Sequence, residues 1–183
     1  MVKILAISGS LRSNSSNTSI LRAMVGLAPT QMQISIYDGI GDLPYFNPEL
    51  DDRSLLSVQN WRTQLQAADA ILFCTPEYAH GVPGVLKNAL DWIVSSGELM
   101  AKPAAVISAS PSPDGGEKAN ASLVQTLRVM MADISAGTIL LIPAVSAKLT
   151  DRGEINDPQI VQAIQSLLTT LAETVDRVSQ PEH

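Results

Sequence analysis

Short apolar runs alternate with segments of helical periodicity along the chain. The first run is nearly all apolar and stops at Gly9, a pattern typical of a strand buried on both faces of a parallel sheet. The pattern predicts strands at residues 2–8, 33–37, 69–74, 103–109 and 138–142. It predicts helices at residues 17–27, 55–67, 85–93, 118–132 and 158–177, the third of them beginning just after Pro83.

Strict alternation of five strands with five helices predicts an α/β fold. The expected architecture is a doubly wound parallel sheet with right-handed crossovers and helices on both faces. A chain of 183 residues suits a single domain over residues 1–183. Ligands of such sheets bind beyond the carboxyl ends of the strands, where the strand order reverses. The loops after strands one, three and four are therefore the candidate site.

The loop after the first strand is rich in hydrogen-bond donors and leads into a helix. A helix start offers unpaired backbone N–H groups to a phosphate. The side chains that add donors here are Ser10, Arg12, Ser15, Asn17 and Thr18. The loop has neither the Gly-Lys-Ser of a Walker A motif nor a Gly-x-Gly-x-x-Gly turn. The alternative is a polar loop in which Ser16 or Asn17 only caps the helix, but capping alone would not require an arginine among so many donors.

The loop after the third strand, residues 75–84, has prolines near both ends, at Pro76 and Pro83, and contains two glycines, Gly81 and Gly84. Such a loop holds its backbone in fixed conformations that can contact the edge of a flat heterocycle, and Tyr78 can supply an apolar wall. Glu77 can equally be a solvated loop acid, and His80 is expected to be a surface residue without a catalytic role. Cys74 is expected to be a packed core residue rather than a nucleophile.

At these two loops the sequence resembles the NADPH-dependent FMN reductase family, which includes quinone, chromate and azo reductases. The similar segments are Gly9-Ser10-Leu11-Arg12 with Ser15 and Asn17, Asp42 through Pro48, and Pro76-Glu77-Tyr78 running on through Pro83 to Trp92. The resemblance implies a flavodoxin-like fold with strand order 2-1-3-4-5. It also implies FMN as cofactor and NADPH or NADH as electron donor.

The resemblance assigns cofactor-binding residues in all three loops. The phosphate would be held by the first loop, and the isoalloxazine ring would lie beside Pro76, Glu77, Tyr78, Ala79, His80 and Gly81. Ser110, Gly115 and Gly116 resemble the glycine-rich turn near the ring and ribityl chain. The chain departs from the family at residues 111–114, which intervene in that turn, at Lys118, where arginine is usual, and at Ala79, where asparagine is frequent.

Composition and charge narrow the class of protein. A formal net charge of −6 and 4% aromatic residues argue against nucleic-acid binding. No apolar run reaches the roughly 18 residues of a membrane span, and the N-terminus lacks a secretory signal. With two histidines and one cysteine, a structural zinc site is not expected. A cytoplasmic location is expected.

The predicted function is transfer of electrons from NAD(P)H through FMN to a small acceptor such as a quinone, with ping-pong kinetics and no catalytic side chain. One alternative is a reductase that releases reduced FMN to a partner monooxygenase. Another is a flavodoxin-type electron carrier.

The resemblance also predicts a homodimer or homotetramer. An apolar stripe after Pro83 belongs either to the core or to the subunit interface; its residues are Val85, Leu86, Ala89, Leu90 and Ile93, with Trp92.

Overall fold

Five parallel strands form one sheet in the order β2-β1-β3-β4-β5 in the computed structural model, which describes residues 1–50 and 52–179. The strands are β1 (Val2–Ser8), β2 (Met32–Tyr37), β3 (Ala70–Thr75), β4 (Ala104–Ala109) and β5 (Ile139–Ile142). The predicted fold class and strand order are confirmed. From β1 the chain adds β2 on one side of the sheet and then β3, β4 and β5 in turn on the other side. The strand order therefore reverses between β1 and β3.

The helices are α1 (Ser16–Leu27), α2 (Leu56–Ala67), α3 (Gly84–Asp91), α4 (Glu117–Val129) and α5 (Pro158–Ser179). Each agrees with its predicted position to within one to three residues. Pro83 lies just before α3 as its N-cap residue rather than inside the first turn. Within the part of the chain that the structure describes, no helix is both long and apolar enough to cross a membrane.

Helix α4 ends three residues before the predicted boundary at residue 132. The Met131 N–H donates to the carbonyl of Arg128, and the Ala132 N–H donates to the carbonyl of Leu127. This is the hydrogen-bond pattern of a Schellman motif, which requires a left-handed residue after the helix. Met131 takes that conformation with φ of 62°. Since glycine usually occupies the position, the sequence contains no stop signal for this helix.

Alternate residues of the strands enter two separate hydrophobic clusters, one on each face of the sheet. One cluster joins Leu5, Ile7 and Phe73 to α2, α3 and α4. The other joins Ile4, Ala6 and Leu72 to α1 and α5. Because both faces are covered, the strands carry the near-continuous apolar runs seen in the sequence.

The apolar stripe on α3 belongs to the core. Leu86, Ala89 and Leu90 are buried, and so are Trp92 and Ile93, which lie just beyond the helix end at Asp91. Only Val85 of the stripe is partly exposed. The interpretation of this stripe as a subunit interface is therefore wrong, because its side chains already fill the space between α3 and the sheet.

Candidate active site at the carboxyl edge of the sheet

The register of the strands brings the three candidate loops together at one edge. Ser8 at the end of β1 pairs with Cys74 of β3, and Thr75 pairs with Ser108 of β4. The Gly9 N–H donates to the carbonyl of Cys74 over 2.8 Å. A Cβ at Gly9 would lie 2.8 Å from Thr75 Oγ1, so only glycine allows the first loop to leave the sheet so close to β3.

Ser15, rather than Ser16 or Asn17, caps helix α1. Its Oγ accepts a hydrogen bond from the Thr18 N–H over 3.3 Å. The N–H groups of Ser16 and Asn17 belong to the first helical turn and have no intrahelical acceptor. The cap therefore satisfies one donor of the helix start and leaves two for an anion.

The side chain of Asn17 forms its hydrogen bonds in the core and not within the loop. Its Nδ2 donates to the carbonyl of Ala109 over 3.1 Å, and its Oδ1 accepts from the Cys74 thiol over 3.2 Å. The residue is 3% exposed. Each end of the amide thus has one partner in the core, the second N–H of Nδ2 has none among the described residues, and the backbone N–H of Asn17 lies at the helix start.

The remaining polar side chains of the first loop shape it from within. Ser10 Oγ accepts a hydrogen bond from the Arg12 N–H over 3.3 Å, and Thr18 Oγ1 shares a 2.8 Å hydrogen bond with Ser8 Oγ. The Arg12 side chain is exposed, and within the described residues it has no hydrogen-bond or ion-pair partner. It lines a cleft of about 370 Å³ that the sequence only partly indicated; the cleft residues are Gly9, Ser10, Leu11, Arg12, Tyr78, Pro83, Gly84 and Val85.

The loop after β3 contains a tight two-residue turn. Tyr78 and Gly81 exchange backbone hydrogen bonds of 3.1 and 3.0 Å. The two residues between them, Ala79 and His80, both have left-handed φ values, 49° and 60°. Asn-Gly is the usual sequence of such a turn, since left-handed backbone costs other residues about 1–2 kcal/mol each. Strain of this kind is characteristic of functional loops.

Glu77 joins the second loop to the third. Its Oε2 accepts a hydrogen bond of 2.9 Å from the Ala119 N–H in the first turn of α4, and its Oε1 lies 3.1 Å from His80 Nδ1. The side chain is only 9% exposed, so Glu77 is not a solvated loop acid. The hydrogen bond from Ala119 is the main reason that the pKa of Glu77 lies below its usual range, with His80 adding to the effect.

Hydrogen bonds stabilise the turn after β4, which contains residues 111–114, the segment that departs from the family pattern. Ser110 Oγ and Ser112 Oγ lie 2.7 Å apart, and Asp114 Oδ1 accepts from the Ser112 hydroxyl and from the Gly116 N–H. Both contacts lower the pKa of Asp114. Gly115 and Gly116 have positive φ values, and a Cβ on Gly116 would lie 3.3 Å from Glu77 Cβ. Residues 111–116 therefore form an ordered turn that packs against the loop after β3.

The other two residues that first suggest catalysis have ordinary roles. The Cys74 thiol is fully buried, and burial raises its pKa, so the thiolate required for a nucleophile does not form. The expectation of a core residue is confirmed. The His80 side chain is 68% exposed, as expected, and its contact with Glu77 is within its own loop.

The strained turn yields a stability prediction. We expect Ala79→Gly to raise the free energy of unfolding by about 0.5–1 kcal/mol, because glycine removes the left-handed penalty while adding some chain entropy to the unfolded state. Denaturant unfolding measures the change. The matched control is Ala121→Gly on the exposed side of α4, which should destabilise by about 1 kcal/mol. Equal destabilisation at both positions would contradict the strain.

The contact between Glu77 and α4 yields a pH prediction. Because the folded-state pKa of Glu77 is lowered, its contribution is complete above the ordinary glutamate range and is lost as the pH falls through the lowered pKa. Glu77→Gln should therefore cost about 1 kcal/mol near neutral pH and progressively less in acid. Thermal melts across pH 3–7 test this, with the exposed Glu173→Gln as control. A deficit that does not shrink in acid would exclude the charge effect.

Comparison with known proteins agrees with the resemblance in the sequence. The model of the NADPH-dependent FMN reductase family matches residues 2–144. An NAD(P)H-dependent FMN reductase of Pseudomonas aeruginosa is 36% identical over 180 residues, covering 97% of both chains. A quinone reductase of Pseudomonas putida is 34% identical over 160 residues, covering 84% of both.

A solved structure is also similar over nearly the whole chain. It is a flavoenzyme NAD(P)H:(acceptor) oxidoreductase from Paracoccus denitrificans, with a TM-score of 0.87, 27% identity, and coverage of 97% of this chain and 98% of that one. The names of the Pseudomonas aeruginosa relative and of the solved structure both combine flavin chemistry with NAD(P)H as electron donor, as predicted for this chain. The protein belongs to the NADPH-dependent FMN reductase family and is a flavin-dependent NAD(P)H oxidoreductase.

Proposed function

We propose that this protein transfers electrons from NAD(P)H to a quinone, with FMN bound along the carboxyl edge of the sheet. The observation that carries the proposal is the proximity of the N–H groups at the start of α1 to Arg12, which is exposed and has no side-chain partner among residues 1–50 and 52–179. A phosphate monoester is the group that such a combination of helix start and guanidinium suits. The chain therefore fits the phosphate end of FMN.

The ring end of FMN is supported by the two loops that Glu77 joins. Residues 76–81 form a fixed wall, and Gly115 and Gly116 keep the opposing turn free of side chains. The N–H groups of Glu117 and Lys118, in the first turn of α4, have no intrahelical acceptor. They supply positive potential at the same edge, which stabilises negative charge on the pyrimidine end of a flavin.

When bound, FMN supplies the redox chemistry by taking hydride from the nicotinamide and returning two electrons to the acceptor. The residues of this chain bind and orient the reactants. Tyr78 and Leu11 are both exposed at the cleft beside Arg12, where their apolar surfaces suit a flat ring. Quinone is the acceptor named for relatives in Pseudomonas putida and Escherichia coli, which supports the same acceptor class here.

Steady-state kinetics with a benzoquinone test the function. In the absence of oxygen, FMN-loaded protein should oxidise more than one equivalent of NADPH or NADH only when the quinone is present, with the parallel double-reciprocal lines of a ping-pong reaction. The alternative, in which FMN is released as reduced product, is favoured by the name of the Pseudomonas aeruginosa relative. Colourless purified protein that needs added FMN in substrate amounts would support release, and absence of any quinone-dependent oxidation would exclude the main proposal.

Arg12 provides the sharpest test of the phosphate site. Arg12→Ala should weaken FMN binding by about 1.5–3 kcal/mol, which is the loss expected for a charge-assisted hydrogen bond. Fluorescence titration of the apoprotein with FMN measures the dissociation constant. Arg128→Ala, at an exposed position in the last turn of α4, is the control and should leave it unchanged. Equal affinities of the Arg12 variant and the wild type would remove Arg12 from the site.

We also propose that the chain forms a homodimer or homotetramer through the segment after β2. Tyr45 is 91% exposed, and Phe46 is held against α3 by its N–H bond to Asn88 Oδ1 and by an edge-to-face contact with Trp92. Trp92 Nε1 in turn donates to the carbonyl of Pro44. The segment therefore presents exposed aromatic surface in a fixed position, as interfaces do.

Light scattering tests the interface. Tyr45→Lys should lower the mass of the assembly, because a charge would be buried at its centre. Val129→Lys is the matched control, since Val129 is 76% exposed at the end of α4. A monomeric wild type, or equal masses for both variants and the wild type, would contradict the proposal.

The single domain over residues 1–183 is part of the proposal as well. It is supported by α5, which lies beyond the family match and packs in the same cluster as α1 and the sheet. The cytoplasmic location stays a prediction.

A further inference from the structure

The ring end of the candidate active site is acidic. Residues 75–84 and 110–119, which form the loop after β3 and the turn leading into α4, contain three carboxylates against one lysine and one histidine. The carboxylates belong to Glu77 in the loop, to Asp114 in the turn and to Glu117 at the start of α4. Negative charge therefore exceeds positive charge where the flavin ring is proposed to lie.

Two of these carboxylates bind backbone N–H groups at or near the start of α4. Asp114 Oδ1 accepts from the Gly116 N–H over 3.1 Å, and Glu77 Oε2 accepts from the Ala119 N–H over 2.9 Å. A helix start carries a positive potential equivalent to about half an elementary charge. Because each carboxylate carries a full negative charge, the two together outweigh the potential of the helix at this edge.

The carboxylate of Asp114 is fixed in place, although its side chain is exposed. Its Oδ1 accepts from the Ser112 hydroxyl as well as from the Gly116 N–H, and both hydrogen bonds lower the pKa of Asp114, so the group is charged at neutral pH. Gly116 packs against Glu77, since a Cβ on the glycine would lie 3.3 Å from Glu77 Cβ. The charge of Asp114 is thus held where the turn meets the loop after β3.

A fixed negative charge beside a flavin changes its redox chemistry. The flavin gains negative charge on its pyrimidine end when it is reduced, and a neighbouring carboxylate repels that charge. Charge near the ring is one of the ways in which a protein sets the reduction potential of a bound cofactor. Repulsion makes the reduced form less stable, lowers the potential and increases the driving force for passing electrons to the acceptor.

We propose that Asp114 is a specificity-determining residue that lowers the reduction potential of FMN bound at this edge, and that it thereby favours acceptors that are hard to reduce, such as naphthoquinones over benzoquinone. A naphthoquinone is the harder of the two to reduce, because reduction of its quinone ring gains less aromatic stabilisation. This inference rests on the proposed function and goes beyond it by naming the acceptor subclass. Asp114 belongs to residues 111–114, in which the chain departs from the family pattern, so the effect is a property of this chain.

The first test is the midpoint potential of the bound flavin. Asp114→Asn removes the charge but keeps the oxygen that accepts both hydrogen bonds. Anaerobic titration of FMN-loaded protein against a reference dye gives the potential, and the potential with the dissociation constant of oxidised FMN gives that of reduced FMN by linkage. The variant should bind reduced FMN about three-fold or more tightly relative to oxidised FMN, since the repulsion is gone. Its potential should therefore rise.

Ionic strength and two further variants separate charge from structure. The difference between wild type and Asp114→Asn should shrink as the ionic strength rises from about 0.01 M to about 1 M, because salt screens an exposed charge. Asp114→Glu keeps the charge and should keep most of the wild-type potential. Asp176→Asn makes the same change at an exposed position of α5 and should leave the potential unchanged. An unchanged potential in Asp114→Asn, an equal rise in Asp114→Glu, or a rise that salt does not reduce would overturn the proposal.

The second test is acceptor choice. Asp114→Asn should lower the ratio of kcat/KM for a naphthoquinone to kcat/KM for benzoquinone by about three-fold or more, because the harder acceptor depends more on the driving force. Equal effects on both acceptors would overturn the proposal. Protein that binds no FMN would overturn the proposed function together with this inference, whereas normal FMN binding with an unchanged potential in Asp114→Asn would overturn this inference alone.

Discussion

The carboxyl ends of β1, β3 and β4 lie side by side, and the geometry of the candidate site depends on this arrangement. The strand order 2-1-3-4-5 makes β3 the neighbour of both β1 and β4. The register then sets Ser8 against Cys74 and Thr75 against Ser108, so that three loops distant in the chain leave the sheet within one small area. Gly9 is required because the first loop passes too close to Thr75 for any side chain.

The side chains of Asn17 and Glu77 connect these loops at the carboxyl edge of the sheet. Asn17 reaches under the first loop to the carbonyl of Ala109 at the end of β4 and to the thiol of Cys74 in β3. Glu77 reaches from the second loop to the first turn of α4. Since both contacts involve buried or nearly buried polar groups, leaving either partner unsatisfied would be costly. The loops are thereby fixed relative to one another before any cofactor binds, which lowers the entropic cost of binding.

Basic side chains are concentrated near the start of α1, although the protein as a whole is acidic. Arg12, Arg22 and Arg152 line adjoining clefts around the start of α1, where the helix itself contributes positive potential. The acidic side chains Glu77 and Asp114 are instead engaged with backbone N–H groups of the third turn and α4. The surface around the start of α1 is thus cationic, although the net charge of the chain is −6.

The sequence by itself determined the fold class and the order and approximate bounds of the strands and helices, because hydrophobic periodicity is a local property, and it predicted the candidate site from the loops that follow the strands. It also indicated which loop suits a phosphate, from donor residues that lie close together in the chain. Only the tertiary structure decided what the individual side chains do. The roles of Asn17 and Glu77 depend on partners 92 and 42 residues away. Burial of the α3 stripe was likewise decided by packing, since a helical apolar face looks the same in sequence whether it covers the sheet or another subunit.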